Sequence, residues 1–584
     1  MRSFHLAVLG LVLPIGLACN QGGDVHWGSL GNDPTGAYNN KRETKLNVNN
    51  VRDLKIAWTS RQFGNVNGAA AVVGNTIYVQ SNTGTYAINA TTGDQVWRNA
   101  SVTGTSSPTY DNGELFVNDS AAVLHSLNAE NGAEVWRAKV DPHPQASGFS
   151  SPVVHQHYVI VGSASSDEYV NTTDTSTFRG GIVAYNRDTG APIWRRYTVD
   201  PPFTGGAVWS SVAIDPVLGL VYGTNGNNYT GQASNTSDSI FALRLFDGSV
   251  AWWTQLAKGD VFTVARPTSP DYDFGASPIL FDGGTGLFAR KLVGAGQKSG
   301  IFWALDRATG AVVWERRVSE GNLLSGGVLN NGAHDGQRIL VAGNRGTSTG
   351  PGSEPANGDS PGTGVLMALN TANGAVVWER QLPAWTWAPI TVANGVGFVA
   401  YETALQAFNT QTGAKLYDYK TNGTITSAPI VANGRVHFGS GLTYILGKPD
   451  QTLHALSLDG TGTVGPDAGT GEPGTFTAIY NQLIVGRGCA TIFCHGAAAG
   501  NLLLSSQAQA YQNMVNVTAT GAACGSSGAK RVEPGNPGAS LLLEKISSAT
   551  PRCGTVMPPG GSVTVPADLI EQVRAWIAAG APNN

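Results

Sequence analysis

Five times along this chain the same short phrase returns: a hydrophobic pair, Asn or Asp, a few variable residues, Gly, and four residues later Trp. It reads AINATTGDQVW at residues 87–97, SLNAENGAEVW at 126–136, AYNRDTGAPIW at 184–194, ALDRATGAVVW at 304–314 and ALNTANGAVVW at 368–378. Weaker copies end at Trp252 (ALRLFDGSVAW) and Tyr417 (AFNTQTGAKLY), and a half-copy, LKIAW, ends at Trp58. Successive copies lie about 39 to about 64 residues apart, the range of one four-stranded blade with variable loops. Such a blade has a hydrophobic face that it cannot cover alone, and a closed ring of blades covers them all.

The rest of the chain agrees with a ring of antiparallel sheets. Runs such as TIYVQ, LFVND and YVIVGS cluster β-formers between Asn-Gly, Asp-Gly and Thr-Gly turns. No long amphipathic helix is predicted before the last hundred residues. Of 584 residues 76 are Gly, 13% are charged and the net charge is -4, which excludes both a disordered chain and a basic nucleic-acid-binding surface.

Residues 1–19 read as an export signal: Arg2 precedes an apolar run from Leu6 to Ala18, too short and too interrupted by Pro14 to span a membrane. Gly16 and Ala18 suit ordinary cleavage, while Cys19 directly after them resembles the lipid-acceptor cysteine of bacterial lipoproteins. Both readings place the mature chain outside the cytoplasm, in the periplasm or cell envelope, and the second adds a lipid anchor.

Cysteine placement marks a second domain. Besides Cys19, the remaining four cysteines are Cys489, Cys494, Cys524 and Cys553, all beyond the repeats. A Gly-rich stretch at 459–474 reads as a flexible linker between a propeller at 24–458 and a small domain at 475–584. In that domain Cys489-Ala-Thr-Ile-Phe-Cys494-His495 offers two thiols for covalent haem attachment and an imidazole for the iron, in a C-x4-C-H spacing two residues longer than the usual form. Met557, in MPPGG, is the predicted second iron ligand, because Met514 in YQNMVNV reads as helix core. An amphipathic helix is expected from about 567 to 579, ending at Gly580, and Cys524 and Cys553 would pair as a disulfide. Two disulfides with His495 incidental is the alternative.

A second repeat marks the start of innermost strands: Ser107-Pro108, Ser151-Pro152, Ser277-Pro278, Ala388-Pro389 and Ala428-Pro429, with Ser210-Ser211 as a variant. Each opens a hairpin, so residues just before its first strand and just after its second share one face of the ring. Glu168, Trp209, Asn227, Asp273 and Lys298 all hold such positions in three consecutive blades. Trp385 and Trp387 hold the blade position of Trp209, as entrance or as core.

The segments VWSSVAID, YGTNGNNYT, DYDFGASP, AGQKSG and TFRGGIVAYN resemble those of the pyrroloquinoline quinone (PQQ) dehydrogenases, most closely the polyvinyl alcohol dehydrogenase branch, over roughly 24–448. The resemblance implies an all-β, eight-bladed β-propeller that oxidises small or polymeric alcohols. It implies that Trp209 is the floor beneath the quinone and that Lys298 bonds quinone oxygens. Glu168 and Asn227 would hold a calcium ion with Asp273, which would also be the general base for the alcohol proton. A strand would point both carboxylates of DYD the same way, so Asp271 competes with Asp273 for the role of base; the resemblance places the base directly before Phe-Gly, at Asp273, and leaves Asp271 the alternative of an additional metal ligand. The cysteine pair that covers the quinone in many relatives has no counterpart in this propeller.

The C-terminal strings GCATIFCHG, PGNPGASLLLEKI and MPPGG, followed by AWIAAGAP, resemble the cytochrome c-like domains of bacterial exported enzymes. A tethered haem c would take electrons from the reduced quinone one at a time and pass them to a downstream cytochrome or quinone acceptor. A non-catalytic envelope scaffold and an electron carrier without quinone are the alternatives, because the Trp phrase stabilises blades and is not part of a site.

Overall fold

The computed structural model describes residues 25–167, 175–263, 266, 269–284, 286, 289–321, 326–345, 362–442, 447–461, 463–464, 474–485, 487, 489–490, 495, 501–504, 507–557 and 565–584. The predicted signal with Cys19, Glu168, Cys494 and most of the predicted linker lie outside the described residues.

Eight sheets form among the described residues, each built around four antiparallel strands. Seven are consecutive in the chain: blades 1 (71–99), 2 (109–139), 3 (153–197), 4 (213–255), 5 (279–317), 6 (333–382) and 7 (391–420). The eighth is shared between distant segments. Residues 430–457 supply three strands, and the outermost, Lys55–Ser60, pairs antiparallel with Thr452–Ser457. Trp58 faces Ala455 in that pairing as Trp97 faces Ala87 and Trp314 faces Ala304. The half-copy LKIAW is therefore the outer half of an eighth phrase, whose inner half stands nearly 400 residues downstream.

The repeat phrase welds neighbouring blades. The indole N–H of Trp97 donates to the Ala129 carbonyl of the next blade at 2.9 Å, that of Trp194 to Leu245 at 2.8 Å, that of Trp314 to Thr371 at 3.0 Å and that of Trp58 to Ala90 at 3.0 Å. The next blade's Gly lies against the same indole. A Cβ on Gly248, whose φ is 69°, would stand 2.5 Å from Trp194, so any larger residue would push the two blades apart. The Asn of the phrase folds the intervening turn, as when Asn89 Oδ1 accepts from the N–H groups of Thr91 and Thr92.

The Ser-Pro repeat does its work nearer the axis. Each serine hydroxyl oxygen accepts the N–H of its counterpart one blade back: Ser151 from Ser107 at 2.9 Å, Ser211 from Ser151 at 2.9 Å and Ser277 from Ser211 at 3.0 Å. The marked inner strands begin where expected, at Thr109, Val153, Ala213, Ile279, Thr391 and Ile430. Inside them runs the segment 25–43. Val25–Trp27 pairs with the inner strand of blade 1, and Asn39–Asn40 runs parallel to that of blade 7. Between these ends the carbonyls of Pro34, Thr35 and Ala37 accept from Ile214, Leu280 and His334 in blades 4, 5 and 6. Glu43 accepts from Gly434 in blade 8. The edge groups that a ring of sheets leaves unpaired at its centre are thus taken up by one strap.

Beyond the propeller, helices Phe476–Ile479, Gln507–Met514, Leu541–Ser547 and Ala567–Ala578 pack around Phe476, Ile484, Met514 and Trp576. Met514 is 1% exposed, as its helical setting requires, and the terminal helix stops before Gly580 at φ 94°. Cys524 and Cys553 are joined, with their Cα atoms 5.3 Å apart. One expectation is corrected. Within the predicted linker, Thr463–Val464 forms a short strand parallel to Trp58 and Thr59, so this part of it is fixed to the outer edge of blade 8. Among the described residues no helix is long and apolar enough to cross a membrane.

Candidate active site

Four of the predicted propeller residues meet at one mouth of the ring. Asp273 lies in the approach to the inner strand of blade 5, and Lys298 follows that blade's second strand, with its N–H bonded to the Asp273 carbonyl at 2.9 Å. The Lys298 ammonium donates to Asp273 Oδ2 at 2.9 Å and to both oxygens of Asp271 at 2.8 Å. The other oxygen of Asp273 accepts the backbone N–H of Asn227, from blade 4, at 2.6 Å. The Asn227 amide is itself held by the Phe262 carbonyl at 2.5 Å. A Cβ at Gly226 would stand 2.6 Å from Asp273 Oδ1, so the chain needs glycine there to come this close.

Trp209, half-buried before the inner strand of blade 4, completes the group. Lys298 Nζ lies 5.7 Å from the centre of its ring, and a Cβ on Gly275 would stand 2.3 Å from it. The indole is therefore braced by a bare backbone and keeps a flat aromatic face beside one cation. The DYD segment is not a strand, yet both carboxylates reach Lys298. Burial first, then the neighbouring Asp273 carboxylate, pushes the Asp271 carboxyl up against the pull of Lys298. Trp385 is 1% exposed and packs edge-on against the half-buried Trp387, ring centres 4.7 Å apart, so Trp385 is core.

Two acidic neighbours carry no motif and were not predicted. Asp260 is buried, its oxygens taking the N–H groups of Phe262 at 2.9 Å and Tyr272 at 2.7 Å. Burial, aided by Asp273 and Asp271, lifts its carboxyl to about 7. Asp238 is fully buried, neither of its oxygens meets a donor at hydrogen-bonding geometry, and burial with Asp260 and Asp273 drives it well above the carboxylate range. Lys298 is the cation bonded to this acidic wall, and the hard oxygen donors of Asp273, Asp271 and Asn227 suit Ca2+ or a similar ion. Among the described residues no three His, Cys, Asp or Glu side chains converge as a metal cluster. The predicted set adds Glu168, outside those residues, and the amide of Asn227.

The family described as "Outer membrane protein assembly factor BamB" matches residues 23–316 and 297–464. The "Polyvinylalcohol dehydrogenase" of Sphingopyxis sp. (strain 113P3) is 30% identical over 499 residues, covering 72% of this chain and 74% of that one. The chain belongs to the quinoprotein alcohol dehydrogenases. The "Polyvinylalcohol dehydrogenase" of Pseudomonas sp. is similar to the same extent, 29% over 488 residues, covering 71% of this chain and 74% of that one. The crystal structure of quinohemoprotein alcohol dehydrogenase from Comamonas testosteroni superposes with a TM-score of 0.62 over 94% of this chain and 95% of that one, at 18% identity, and shares the fold.

In the C-terminal region the predicted haem-attachment string is described in part. The His495 N–H donates to the Cys489 carbonyl at 2.9 Å, so the two ends of the motif lie together. Met557 is half-buried, and its N–H donates to the Lys545 carbonyl at 2.8 Å.

Proposed function

We propose that this quinoprotein oxidises alcohols at the mouth built by Trp209, Asn227, Asp273 and Lys298 and delivers the electrons to a haem c in its C-terminal domain. The observation that carries the reading is the shared hold on Asp273, one oxygen on the Asn227 N–H and the other on Lys298. When bound, PQQ supplies the two-electron acceptor and a calcium ion polarises it. The rest falls to the chain. Lys298 and the Asn227 N–H hold the two oxygens of Asp273 and aim the carboxylate, so that it takes the substrate hydroxyl proton. Asp271, bonded through both oxygens to Lys298, fixes the ammonium over the Trp209 face. Trp209 would be the floor for a flat cofactor, Glu168 and Asn227 further ligands of the cation, and Asp271 an additional one.

The donor set of the C-terminal domain suits haem: thiols at Cys489 and Cys494, the His495 imidazole and the Met557 thioether. A downstream cytochrome or quinone would accept the electrons. The segment 1–19, with Cys19, supports a place in the cell envelope. The similarity to polyvinylalcohol dehydrogenases supports polymeric or secondary alcohols as substrates. The test is the absorption spectrum of haem-containing protein supplied with PQQ and calcium, before and after addition of polyvinyl alcohol and short secondary alcohols. Reduced-haem bands that grow only with alcohol are expected. A haem spectrum indifferent to every alcohol overturns the reading.

One further expectation concerns the Met557 loop. The Lys545 ammonium bonds the carbonyls of Cys553 at 2.8 Å and Thr555 at 2.9 Å, while its own carbonyl takes the Met557 N–H. Lys545 is a positioning residue for this loop, which the disulfide ties down at Cys553. Lys545→Met is expected to weaken the far-red charge-transfer band of methionine-ligated ferric haem and to open the ferrous iron to carbon monoxide. An unchanged band would remove Lys545 from this role.

A further inference from the structure

The row of residues that contains the repeat Trp is alike in seven blades and different in the eighth. Reading inward from the Trp, the third strand offers Ala or Ser, and the second strand then offers an apolar, aromatic or glycine residue: Tyr78, Phe116, Ile160 and Tyr222 in blades 1 to 4. The two tyrosines send their hydroxyls across to the next blade, Tyr78 to the Ala129 carbonyl at 3.1 Å and Tyr222 to Arg307 at 3.2 Å. In blade 8 this place belongs to His437, opposite Ala455, with its ring centre 6.1 Å from that of Trp58. His437 is 1% exposed, and neither of its ring nitrogens has a hydrogen-bond partner.

His437 is among the residues that line a cavity of about 330 Å³ at the seam where blade 8 meets blade 1, with Lys45, Asn75, Thr91, Arg435 and Asp459. The two cations there are weakly matched. Lys45 Nζ bonds the neutral Asn433 Oδ1 at 2.6 Å, and the carboxylate beside Arg435 is Asp459, 3.9 Å away with a side chain 80% exposed. Glu43, close by in sequence, already spends its oxygens on the N–H groups of Lys45, Leu46 and Gly434. A fully buried imidazole without a partner costs stability, and an apolar residue at this row would not.

We propose that the seam between the first and last blades is a binding site for a small oxyanion, a phosphate or a short carboxylate, held by the charges of Lys45 and Arg435 and by a ring N–H of His437. Burial and Arg435 push His437 down to about 3, so at neutral pH one of its nitrogens carries a proton to donate and the other does not. The volume lies within the range of small-molecule pockets, with polar groups on opposing walls. Because Trp58 closes the ring at the same seam, an anion bound there favours the closed ring over the open chain.

The test uses the full-length protein, with calorimetric titration and thermal unfolding in sodium phosphate, sodium succinate and, at matched ionic strength, sodium chloride. Saturable heat with a rise in melting temperature is expected for phosphate or succinate beyond chloride, and which of the two acts tells the phosphate source from the carboxylate. His437→Phe, a residue the same row accepts in blade 2, and Arg435→Gln are each expected to weaken binding about tenfold or more and to leave alcohol-dependent dye reduction unchanged. No saturable response to either anion overturns the proposal. So does undiminished binding by both variants.

Discussion

Asp273→Asn is expected to lower alcohol-dependent dye reduction by about 10²- to 10⁴-fold, the usual worth of a positioned general base. The substitution gives up the bond from Lys298 to Oδ2, where an amide N–H cannot accept, and keeps the rest of the frame. An asparagine keeps an oxygen for the Asn227 N–H, and Lys298 keeps both bonds to Asp271. Quinone absorption of the loaded protein should therefore persist while turnover falls. Asp271→Asn is the control that gives the assignment its meaning. It loosens Lys298 and leaves the base in place, so a loss of about tenfold is expected. If Asp271→Asn proves the more damaging and Asp273→Asn the milder, the base is Asp271.

The second large effect is structural. Trp58→Ala is expected to cost about 3–5 kcal/mol, the range for truncating a buried aromatic side chain. Trp58 is 1% exposed and loses its bond to Ala90 as well. Trp314→Ala removes a similar side chain from a joint between blades that are consecutive in the chain, whereas Trp58 joins the two ends of the ring. Urea unfolding should therefore show Trp58→Ala with the lower midpoint, and limited proteolysis should cut first near residues 60–70. A midpoint for Trp58→Ala at or above that of Trp314→Ala would show that the closing joint is no weaker than the rest.

The blades were legible because their welds are side chains. Trp97, Trp194 and Trp314, with the glycines beneath them, recur in sequence because the same contact recurs in space. The eighth weld was only half legible: Trp58 announced itself, but its row partner in blade 8 stands in HALSLDG, which lacks the final Trp because the chain supplies that residue from its other end. The mouth could be read from strand order alone, which brings the approach to one hairpin beside the exit from another. Asp238 and Asp260 could not. They lie in loops with no repeat of their own, and only burial beside Asp273 makes them part of the site. Nor could the path of residues 25–43 be foreseen, because its partners are backbone groups, which leave no trace in residue type. His437 was invisible for a related reason: a histidine in a strand of a repeat protein gains meaning only when its row is compared across all eight blades.

The strap through the ring also bears on how a long polyol would be handled. With Pro34, Thr35 and Ala37 bonded to the inner strands of blades 4, 5 and 6 and the Asn40 amide bonded to blade 8, a single segment joins blades that the Trp welds link only in neighbouring pairs. A polyol bound at the mouth therefore meets blades held in a common frame, and a cut within residues 25–43 should loosen several of them at once.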